Sequence, residues 1–358
     1  WLDNNNNDNT RPNSVTIKLL ANEQIIKTTT VTSSSATTAN KWTYEFKNLP
    51  KYENGQEIIY TVEEVPVENY ETSYDEKNPL TIINTHENEQ LELSGEKTWD
   101  DANNQDGIRP DSIKVTLIGK VGDKTVYTSE KIEVTAATNW KYNFGKVDKY
   151  YEGQVITYTV IEDNIDGYNV EYNGLDITNT HTPETIDITG KKIWNDVDNQ
   201  DGKRPEEITV ILNKTVAGIT TKVTETIVKE DNDGNWNFKF VNLPVYENGQ
   251  EIIYTVEEVD VDGYTSEIKD FTITNTHTPE TVTFNIQKEW YDEENNDGLR
   301  PNSITVRIKA NDEEVQKAIL SEETNWQATF KDLPKYKNGQ EIIYEIVEDV
   351  VKGYTPTA

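Results

Sequence analysis

The chain contains 358 residues, of which 65 are Asp or Glu and 34 are Lys or Arg, so its formal net charge at pH 7 is −31. This charge repels phosphate backbones and argues against nucleic acid as a partner. The absence of Cys excludes disulfides and cysteine metal sites, and no apolar run approaches the roughly 20 residues of a membrane helix.

The sequence has neither a signal peptide nor a Met, and we therefore expect it to be part of a longer mature protein. A chain of this length is too long for a single hydrophobic core, which predicts several domains.

Four copies of one pattern follow each other along the chain. An Arg-Pro pair recurs about every 96 residues, and each pair follows a Trp by about ten residues. A second Trp and the string Tyr-x-x-Gly-Gln-x-Ile-x-Tyr recur in the same order. Because this period is too long for a solenoid unit, each copy is predicted to be a whole domain. The resulting segments are repeat one (1–88), repeat two (89–183), repeat three (184–280) and repeat four (281–358).

Only repeats two and three contain every part of the pattern. Repeat one begins at Trp1 and is expected to lack its first strand, whereas repeat four ends at Ala358 and is expected to lack its last strand.

Within each repeat, apolar and polar residues alternate with a period of two. Residues 91–99 and 156–162 of repeat two are examples, and Thr, Val, Ile and Tyr dominate such runs. Turn strings such as Gln-Asp-Gly separate them, and no stretch keeps a helical period. About seven short strands per repeat predict an all-β array of β-sandwiches of roughly 100 residues each. The joints at 180–185 and 276–281 contain one Pro and no Gly, which predicts semi-rigid connections.

Three polar residue types interrupt the apolar faces of these strands. In repeat two, Lys97 shares a face with Trp99, Glu162 follows Val160 on the face of a later strand, and Asn179 continues the apolar face of the last strand. Each complete repeat is therefore predicted to point one Lys, one Glu and one Asn toward its core. The corresponding residues are Lys192, Glu258 and Asn275 in repeat three, Glu64 and Asn84 in repeat one, and Lys288 and Glu348 in repeat four.

Two interpretations fit such a trio. The first is an ion pair at the edge of the core, with the Asn as a hydrogen-bonding neighbour, since burying unpaired charges is costly. The second is chemical: burial lowers the pKa of the Lys and raises that of the Glu. A neutral amine then attacks the Asn carboxamide while the acid transfers protons, which yields a Lys–Asn isopeptide bond. The recurrence of all three residue types at corresponding positions favours the second interpretation.

A series of motifs resembles the Cna protein B-type repeat, over essentially all of the chain. The motifs are Lys-x-Trp, Asp-Gly-x-Arg-Pro, Asn-Trp, Tyr-x-x-Gly-x-x-Ile-x-Tyr-Thr-Val-x-Glu, Asp-Gly-Tyr and Ile-Thr-Asn-Thr. In repeat three they are Lys192 and Trp194, Asp201 to Pro205, Asn235 and Trp236, Tyr246 to Glu258, Asp262 to Tyr264, and Ile273 to Thr276.

This resemblance implies an immunoglobulin-like β-sandwich of reversed strand order in a cell-wall-anchored surface protein of a Gram-positive bacterium. It also implies spontaneous Lys–Asn isopeptide bonds assisted by an acidic residue. Of the adjacent acids at 257 and 258 the second is chosen, because only that position matches the apolar face. Carried over by position, the implied bonds are Lys97–Asn179 with Glu162 and Lys192–Asn275 with Glu258. The sites of repeats one and four are incomplete and are expected not to close within this chain.

Other kinds of site receive less support from the sequence. The loop from Asp196 to Glu207 loosely matches a calcium-binding spacing, but a polar turn is favoured because the Gly is one place late. The single His of each of repeats one to three has no Cys or second His nearby, so we predict no metal site and no cofactor. No nucleophile triad or phosphate loop is present, which argues against a turnover enzyme. The Trp residues are predicted to be core anchors rather than a sugar platform.

The sequence therefore predicts a structural stalk of a bacterial surface adhesin, in the form of a monomeric rod. An alternative is that the repeats themselves bind a host matrix protein or glycan. A pilus backbone is a third hypothesis, but no Tyr-Pro-Lys-type motif for polymerisation is found. No partner is expected to be required for folding.

Overall fold

The computed structural model describes residues 1–357, which are almost entirely β-strands, turns and loops. The predicted all-β class and sandwich architecture are confirmed. Helical structure in these residues is limited to short 3₁₀ turns, and none is long or apolar enough to cross a bilayer. The 3₁₀ turns are Asn4–Asn6, Ser33–Ser35, Ala136–Thr138 and Glu322–Thr324.

The strands of repeats one and two are numbered in chain order. Repeat one contains β1 (Ser14–Ala21), β2 (Gln24–Thr32), β3 (Ala36–Thr38), β4 (Lys41–Trp42), β5 (Tyr52–Glu53), β6 (Gln56–Glu57), β7 (Tyr60–Glu64), β8 (Glu71–Tyr74) and β9 (Ile82–Thr85). Repeat two contains β10 (Gln90–Asp100), β11 (Ser112–Val121), β12 (Lys124–Thr128), β13 (Ile132–Thr135), β14 (Lys141–Asp148), β15 (Tyr150–Tyr151), β16 (Gln154–Val155), β17 (Thr157–Glu162), β18 (Asn169–Asn173) and β19 (Asp176–Thr180).

The numbering continues through the second half of the chain. Repeat three contains β20 (Thr185–Asn195), β21 (Glu207–Val216), β22 (Ile219–Lys229), β23 (Trp236–Pro244), β24 (Tyr246–Glu247), β25 (Gln250–Glu251), β26 (Ile253–Glu258), β27 (Thr265–Lys269) and β28 (Thr272–Thr276). Repeat four contains β29 (Thr281–Gln287), β30 (Ser303–Ala310), β31 (Glu313–Ser321), β32 (Gln327–Pro334), β33 (Tyr336–Lys337), β34 (Gln340–Glu341) and β35 (Tyr344–Glu348).

Two sheets form repeat two. The first has the order β14-β10-β19-β18, in which the first strand of the repeat, β10, pairs in parallel with its last strand, β19. The second is centred on β11, which pairs with β12 and β13 along one edge and with β17 along the other. Repeat two has more strands than the predicted seven because β15 and β16 form a separate short hairpin and because β12 and β13 are two strands where repeat three has the single strand β22.

Repeat three repeats this topology, with one sheet ordered β23-β20-β28-β27 and the other β22-β21-β26. Its β20 and β28 again pair in parallel, so the first and last strands are neighbours. Between the sheets lies a core in which Val210, Leu212 and Ile273 are completely buried. This core follows directly from the alternating apolar residues of β20, β21, β26 and β28.

The terminal repeats contain the same second sheet. It has the order β2-β1-β7 in repeat one and β31-β30-β35 in repeat four. In the other sheet, β8 pairs with β9 in repeat one and β29 pairs with β32 in repeat four. Repeat one thus contains a last strand, β9, and repeat four a first strand, β29.

The chain separates into two compact units. The first comprises Trp1–Asn104 and Ile108–Thr182, and the second comprises Gln105–Gly107 and the chain from Pro183 onward. In the first unit, the amide of Gly153 donates to the carbonyl of Asn7 at 2.8 Å. In the second, the amide of Gly339 donates to the carbonyl of Gln200 at 3.0 Å. In both cases the loop that precedes the Arg-Pro pair of one repeat contacts a short hairpin of the following repeat.

Candidate functional site

The parallel pairing of first and last strands brings the predicted Lys and Asn of repeat two together. Lys97 on β10 pairs with Ile177 on β19, and Trp99 pairs with Asn179. Since side chains alternate along a strand, Lys97 and Asn179 lie on the same face, one pleat apart on neighbouring strands. That face is the inner one, because Lys97 is 4% exposed and Asn179 is 1% exposed.

The predicted acid reaches this site from the opposite sheet. Glu162 ends β17 and pairs with Val115 of the central strand β11. It is buried at 8% exposure, whereas the adjacent Ile161 is 50% exposed. The alternation of β17 therefore aims Glu162 across the sandwich at β10 and β19.

In repeat two the carboxylate lies between the amine and the carboxamide. The Nζ of Lys97 is 3.7 Å from Oε1 of Glu162, and the Nδ2 of Asn179 donates to Oε2 of the same carboxylate at 2.7 Å. Lys97 also donates to the carbonyl of Thr98 at 3.0 Å and lies 4.1 Å from the ring centroid of Trp99. One acid therefore contacts both partners of the predicted bond.

Burial shifts both titrating groups toward their neutral forms. It lowers the pKa of Lys97 to about 8, although the charge of Glu162 opposes the shift. Burial also raises the pKa of Glu162, against the opposing hydrogen bond from Asn179 and the charge of Lys97. The neutral amine is the nucleophilic form of Lys, and the neutral acid is the form that donates a proton.

Repeat three has the same residues in a different hydrogen-bonding arrangement. Lys192 contacts Oε1 of Glu258 directly, and the hydroxyl of Ser266 donates to Oε2 at 3.0 Å. Asn275 is completely buried, and neither atom of its carboxamide has a hydrogen-bond partner among residues 1–357. Burial lowers the pKa of Lys192, while Glu258 opposes the shift. Glu257, the alternative acid, is exposed on the outer face.

The terminal repeats each contain two members of the trio. In repeat one, the Nδ2 of Asn84 donates to Oε1 of Glu64 at 3.1 Å, and both residues are buried. In repeat four, the Nζ of Lys288 lies 2.9 Å from Oε2 of Glu348. Their side chains are 17% and 14% exposed, compared with 0% and 1% for the complete pair Lys192 and Glu258.

A second cluster recurs beside each site and was not predicted as a unit. In repeat two, Arg109 donates from Nε to Asp101 at 2.9 Å, and the hydroxyl of Tyr168 donates to the same carboxylate at 2.8 Å. The guanidinium also lies 5.5 Å from the ring centroid of Trp99, whose ring contacts Lys97 as well. The Arg-Pro and Asp-Gly-Tyr motifs recur in the sequence, but nothing in their spacing predicts that Arg109 and Tyr168 both contact Asp101.

The Trp residues form aromatic pairs within each repeat. Trp99 and Trp140 pack edge to face with ring centroids 5.2 Å apart, and Trp194 packs in the same way against Trp236 at 5.3 Å. Trp236 is 5% exposed. These edge-to-face contacts are typical of Trp side chains that pack in a core. They leave no flat ring face at these pairs on which a sugar could stack.

The carboxylates of the Asp-rich loops do not converge on one point. In repeat three, Asp196 is held by Arg204, Asp201 by His277, and Glu207 by Lys229. Within the described chain, no group of three or more His, Cys, Asp or Glu side chains is arranged to hold a metal ion.

Comparisons with known proteins agree with this architecture. The family model of the Cna protein B-type domain matches residues 1–85, 93–180, 188–276 and 284–358. The chain is 40% identical over 364 residues to a collagen adhesin of Staphylococcus aureus; the match covers 99% of this chain and 30% of the adhesin.

Solved structures of the same kind are also similar to the chain. The structure of two B repeat units of the collagen-binding protein of Staphylococcus aureus is 38% identical, with a TM-score of 0.47, and the match covers 99% of this chain and 92% of that one. A single B repeat unit of that protein is 41% identical, with a TM-score of 0.24, and covers 53% of this chain and 100% of its own.

Proposed function

Since the chain belongs to the family of Cna protein B-type domains, we propose that it is a stalk segment of a bacterial surface adhesin whose complete repeats cross-link themselves. The proposed bonds join Lys97 to Asn179 and Lys192 to Asn275. Glu162 and Glu258 are the proposed proton-transfer groups. The protein is then not a turnover enzyme, because each bond forms once per domain.

The proposed reaction exchanges one amide for another. The neutral Nζ of the Lys attacks Cγ of the Asn, a C–N bond forms, and the bond from Cγ to Nδ2 breaks. The Glu donates a proton toward the carboxamide and accepts the proton that the amine loses, so that Nδ2 leaves as ammonia. Each bond therefore removes one ammonia from the chain and consumes no other reactant.

The observation that carries this proposal is the position of Glu162. Its carboxylate is within 3.7 Å of the attacking nitrogen and 2.7 Å of the leaving nitrogen, inside a core that excludes water. Holding the groups together in this way supplies the proximity that a slow acyl transfer needs. An ordinary ion pair would not require the Asn to share the same carboxylate.

A cross-link at this place would serve a load-bearing domain. It connects the first strand to the last, so a force that enters at one end of the repeat and leaves at the other passes through the bond and bypasses residues 98–178. If it acts like a disulfide closing a loop of about 82 residues, it stabilises the domain by roughly 4–5 kcal/mol. Resistance to proteolysis and shear follows, in a chain without disulfides.

The relatives support an extracellular, cell-wall-anchored location. The collagen adhesin that the chain resembles is a Staphylococcus aureus protein, and the chain spans 30% of its length. We place the chain in the part of such an adhesin that projects a separate ligand-binding region from the cell. Collagen binding itself is the named property of the relative.

Intact mass under denaturing conditions tests the proposal. The wild-type chain is expected to lack two ammonias relative to its sequence, and Lys97→Arg or Lys192→Arg should each restore one. Lys191→Arg is the matched control, because Lys191 is an exposed neighbour on β20. Glu258→Gln should likewise restore one ammonia, whereas Glu257→Gln should restore none. A wild-type mass that equals the sequence mass would contradict the proposal.

A further inference from the structure

One position beside the acid differs between the repeats. The residue opposite the Asn on the neighbouring strand is Thr72 in repeat one, Val170 in repeat two and Ser266 in repeat three. We call this the facing position. All three residues occupy the same register of an antiparallel pair, and of the three Val170 lacks a hydroxyl.

In repeat three the hydroxyl donates to the acid, and in repeat one it lies between the acid and the Asn carboxamide. Ser266 Oγ donates to Oε2 of Glu258 at 3.0 Å. Thr72 Oγ1 is 3.3 Å from Oε2 of Glu64 and 2.8 Å from Oδ1 of Asn84. Val170 offers no such donor.

The hydrogen bonds of the acid differ accordingly. In repeat two, Oε2 of Glu162 accepts from Asn179, and Oε1 has no hydrogen-bond partner among residues 1–357. In repeat three, one oxygen of Glu258 is taken by Lys192 and the other by Ser266. Asn275 donates to neither oxygen, and its carboxamide makes no hydrogen bond within the same residues.

A donated hydroxyl bond favours the ionised form of a carboxylate. In the proposed reaction it is the protonated acid that polarises the Asn carbonyl, so a donor at the facing position works against the reactive state. The other groups that face Glu162 are Lys97 on β10, Tyr142 on β14 and Tyr172 on β18. The charged group in contact with Glu258 is Lys192 on β20, and Phe238 and Ile268 stand at the positions of the two Tyr. The Lys is common to both sites, whereas a hydroxyl that donates to the carboxylate is present in repeat three and absent in repeat two.

We infer that the facing position sets the rate of cross-linking. Ser266 holds the carboxylate of Glu258 beside Lys192, so that the bond of repeat three forms more slowly than the bond of repeat two. Ser266 is in this sense a positioning residue, since it acts through Glu258. The inference rests on the proposed isopeptide reaction and adds the order in which the two bonds form.

Exchanging the facing residues in the full chain tests the inference. Newly synthesised chains are labelled in a short pulse, sampled over time into denaturant, and digested. The cross-linked peptides that contain Lys97 with Asn179, and Lys192 with Asn275, then report each repeat separately. Ser266→Val is expected to accelerate repeat three, and Val170→Ser to slow repeat two, each by about three- to tenfold, which is the change expected from losing or gaining one hydrogen bond to the acid.

Conservative variants separate this effect from a general loss of structure. Ser266→Ala removes the donor without adding β-branched bulk and should accelerate repeat three as Ser266→Val does. Ser266→Thr keeps a hydroxyl and should retain the wild-type rate.

The outcomes distinguish the two proposals. If both cross-links form but their rates do not respond to the exchanges, the role of the facing position is wrong and the isopeptide proposal stands. If repeat three closes as fast as repeat two in the wild type, the inferred order is wrong. If no cross-linked peptide appears at either site in any variant, both proposals fail together.

Discussion

Arg204 donates two hydrogen bonds to Asp196, from Nε to Oδ2 at 3.0 Å and from Nη2 to Oδ1 at 2.7 Å. The carboxylate is buried at 1% exposure and also accepts from the hydroxyl of Tyr264 at 2.8 Å. This arrangement ties the loop after the first strand of repeat three to the segment between β26 and β27. Corresponding pairs join Asp3 to Arg11, Asp101 to Arg109, and Asp292 to Arg300.

Replacing Arg204 with Lys should destabilise repeat three by about 2–3 kcal/mol, because an ammonium group keeps the charge but loses the planar two-bond geometry at a buried carboxylate. Hydrogen exchange with mass spectrometry in the full chain would measure this loss in peptides of repeat three. Lys229→Arg is the control, since its contact with Glu207 is an exposed surface pair worth at most about 1 kcal/mol. Equal effects of the two substitutions would refute the structural role of the pair.

Acid should weaken the same cluster in repeat two. Burial of Asp101 opposes ionisation, but hydrogen bonds from Arg109, the Asn104 amide and Tyr168 outweigh it and lower the pKa of Asp101 to about 2. A lowered folded-state pKa contributes stability that is present above pH 3.8 and is lost as pH falls through 2. This contribution is about 2 kcal/mol.

The pH dependence of unfolding would check this expectation. Between pH 4 and 2, repeat two of the wild type should lose stability more steeply than repeat two of Asp101→Asn, which has no carboxylate to protonate. The adjacent Asp100 is exposed, so Asp100→Asn should leave the steepness unchanged. Parallel curves for the wild type and Asp101→Asn would show that Asp101 does not carry the acid sensitivity.

His86 should respond to pH in the opposite direction. Its Nδ1 lies 2.7 Å from the carbonyl of Asn69 and its Nε2 lies 2.7 Å from Oδ2 of Asp8. Burial disfavours the charged ring, but these acceptors outweigh burial and raise the pKa of His86 above 6.5. A raised folded-state pKa contributes stability that is fully present below pH 6.5 and is lost as pH rises through the folded value.

Nuclear magnetic resonance titration of the imidazole protons tests this prediction. In Asp8→Asn the pKa of His86 should fall, because the carboxylate that stabilises the imidazolium is gone. The chain has three His, so a His86→Gln variant assigns the signal and the other two rings serve as internal controls. An unchanged titration of His86 in Asp8→Asn would exclude the carboxylate as the cause.

Much of the candidate site was predictable because strand alternation is a local property. The period of two placed Lys97, Glu162 and Asn179 on inward faces before any contact was known, and it separated Glu258 from Glu257. The contact between Ser266 and Glu258 was not predictable in this way, because it is set by the pairing of β27 with β28 and by a strand of the opposite sheet. Contacts between loops and sheets distant in sequence leave no periodic signal.

The glycines of Asp-Gly-x-Arg-Pro and Tyr-x-x-Gly-Gln, two motifs that the cross-link does not explain, meet between repeats three and four. In the second unit, Gly202 packs against Gly339, and a Cβ added at Gly202 would lie 2.5 Å from the Cα of Gly339. Gly202 has φ +70°. An Ala there would incur both the cost of a left-handed backbone, about 1 kcal/mol, and a clash with a backbone that cannot rotate away.

Gly298 is the matched control for Gly202, because it has φ +71° and no described atom lies within 4 Å of its Cβ position. Gly298→Ala therefore carries the backbone cost alone. We expect Gly202→Ala to loosen the contact that Gln200 makes with Gly339 and to speed protease cleavage in the joint at 276–281 several-fold relative to Gly298→Ala. Equal cleavage rates in the two variants would mean that the glycine contact does not hold the joint, and that both motifs serve only their own turns.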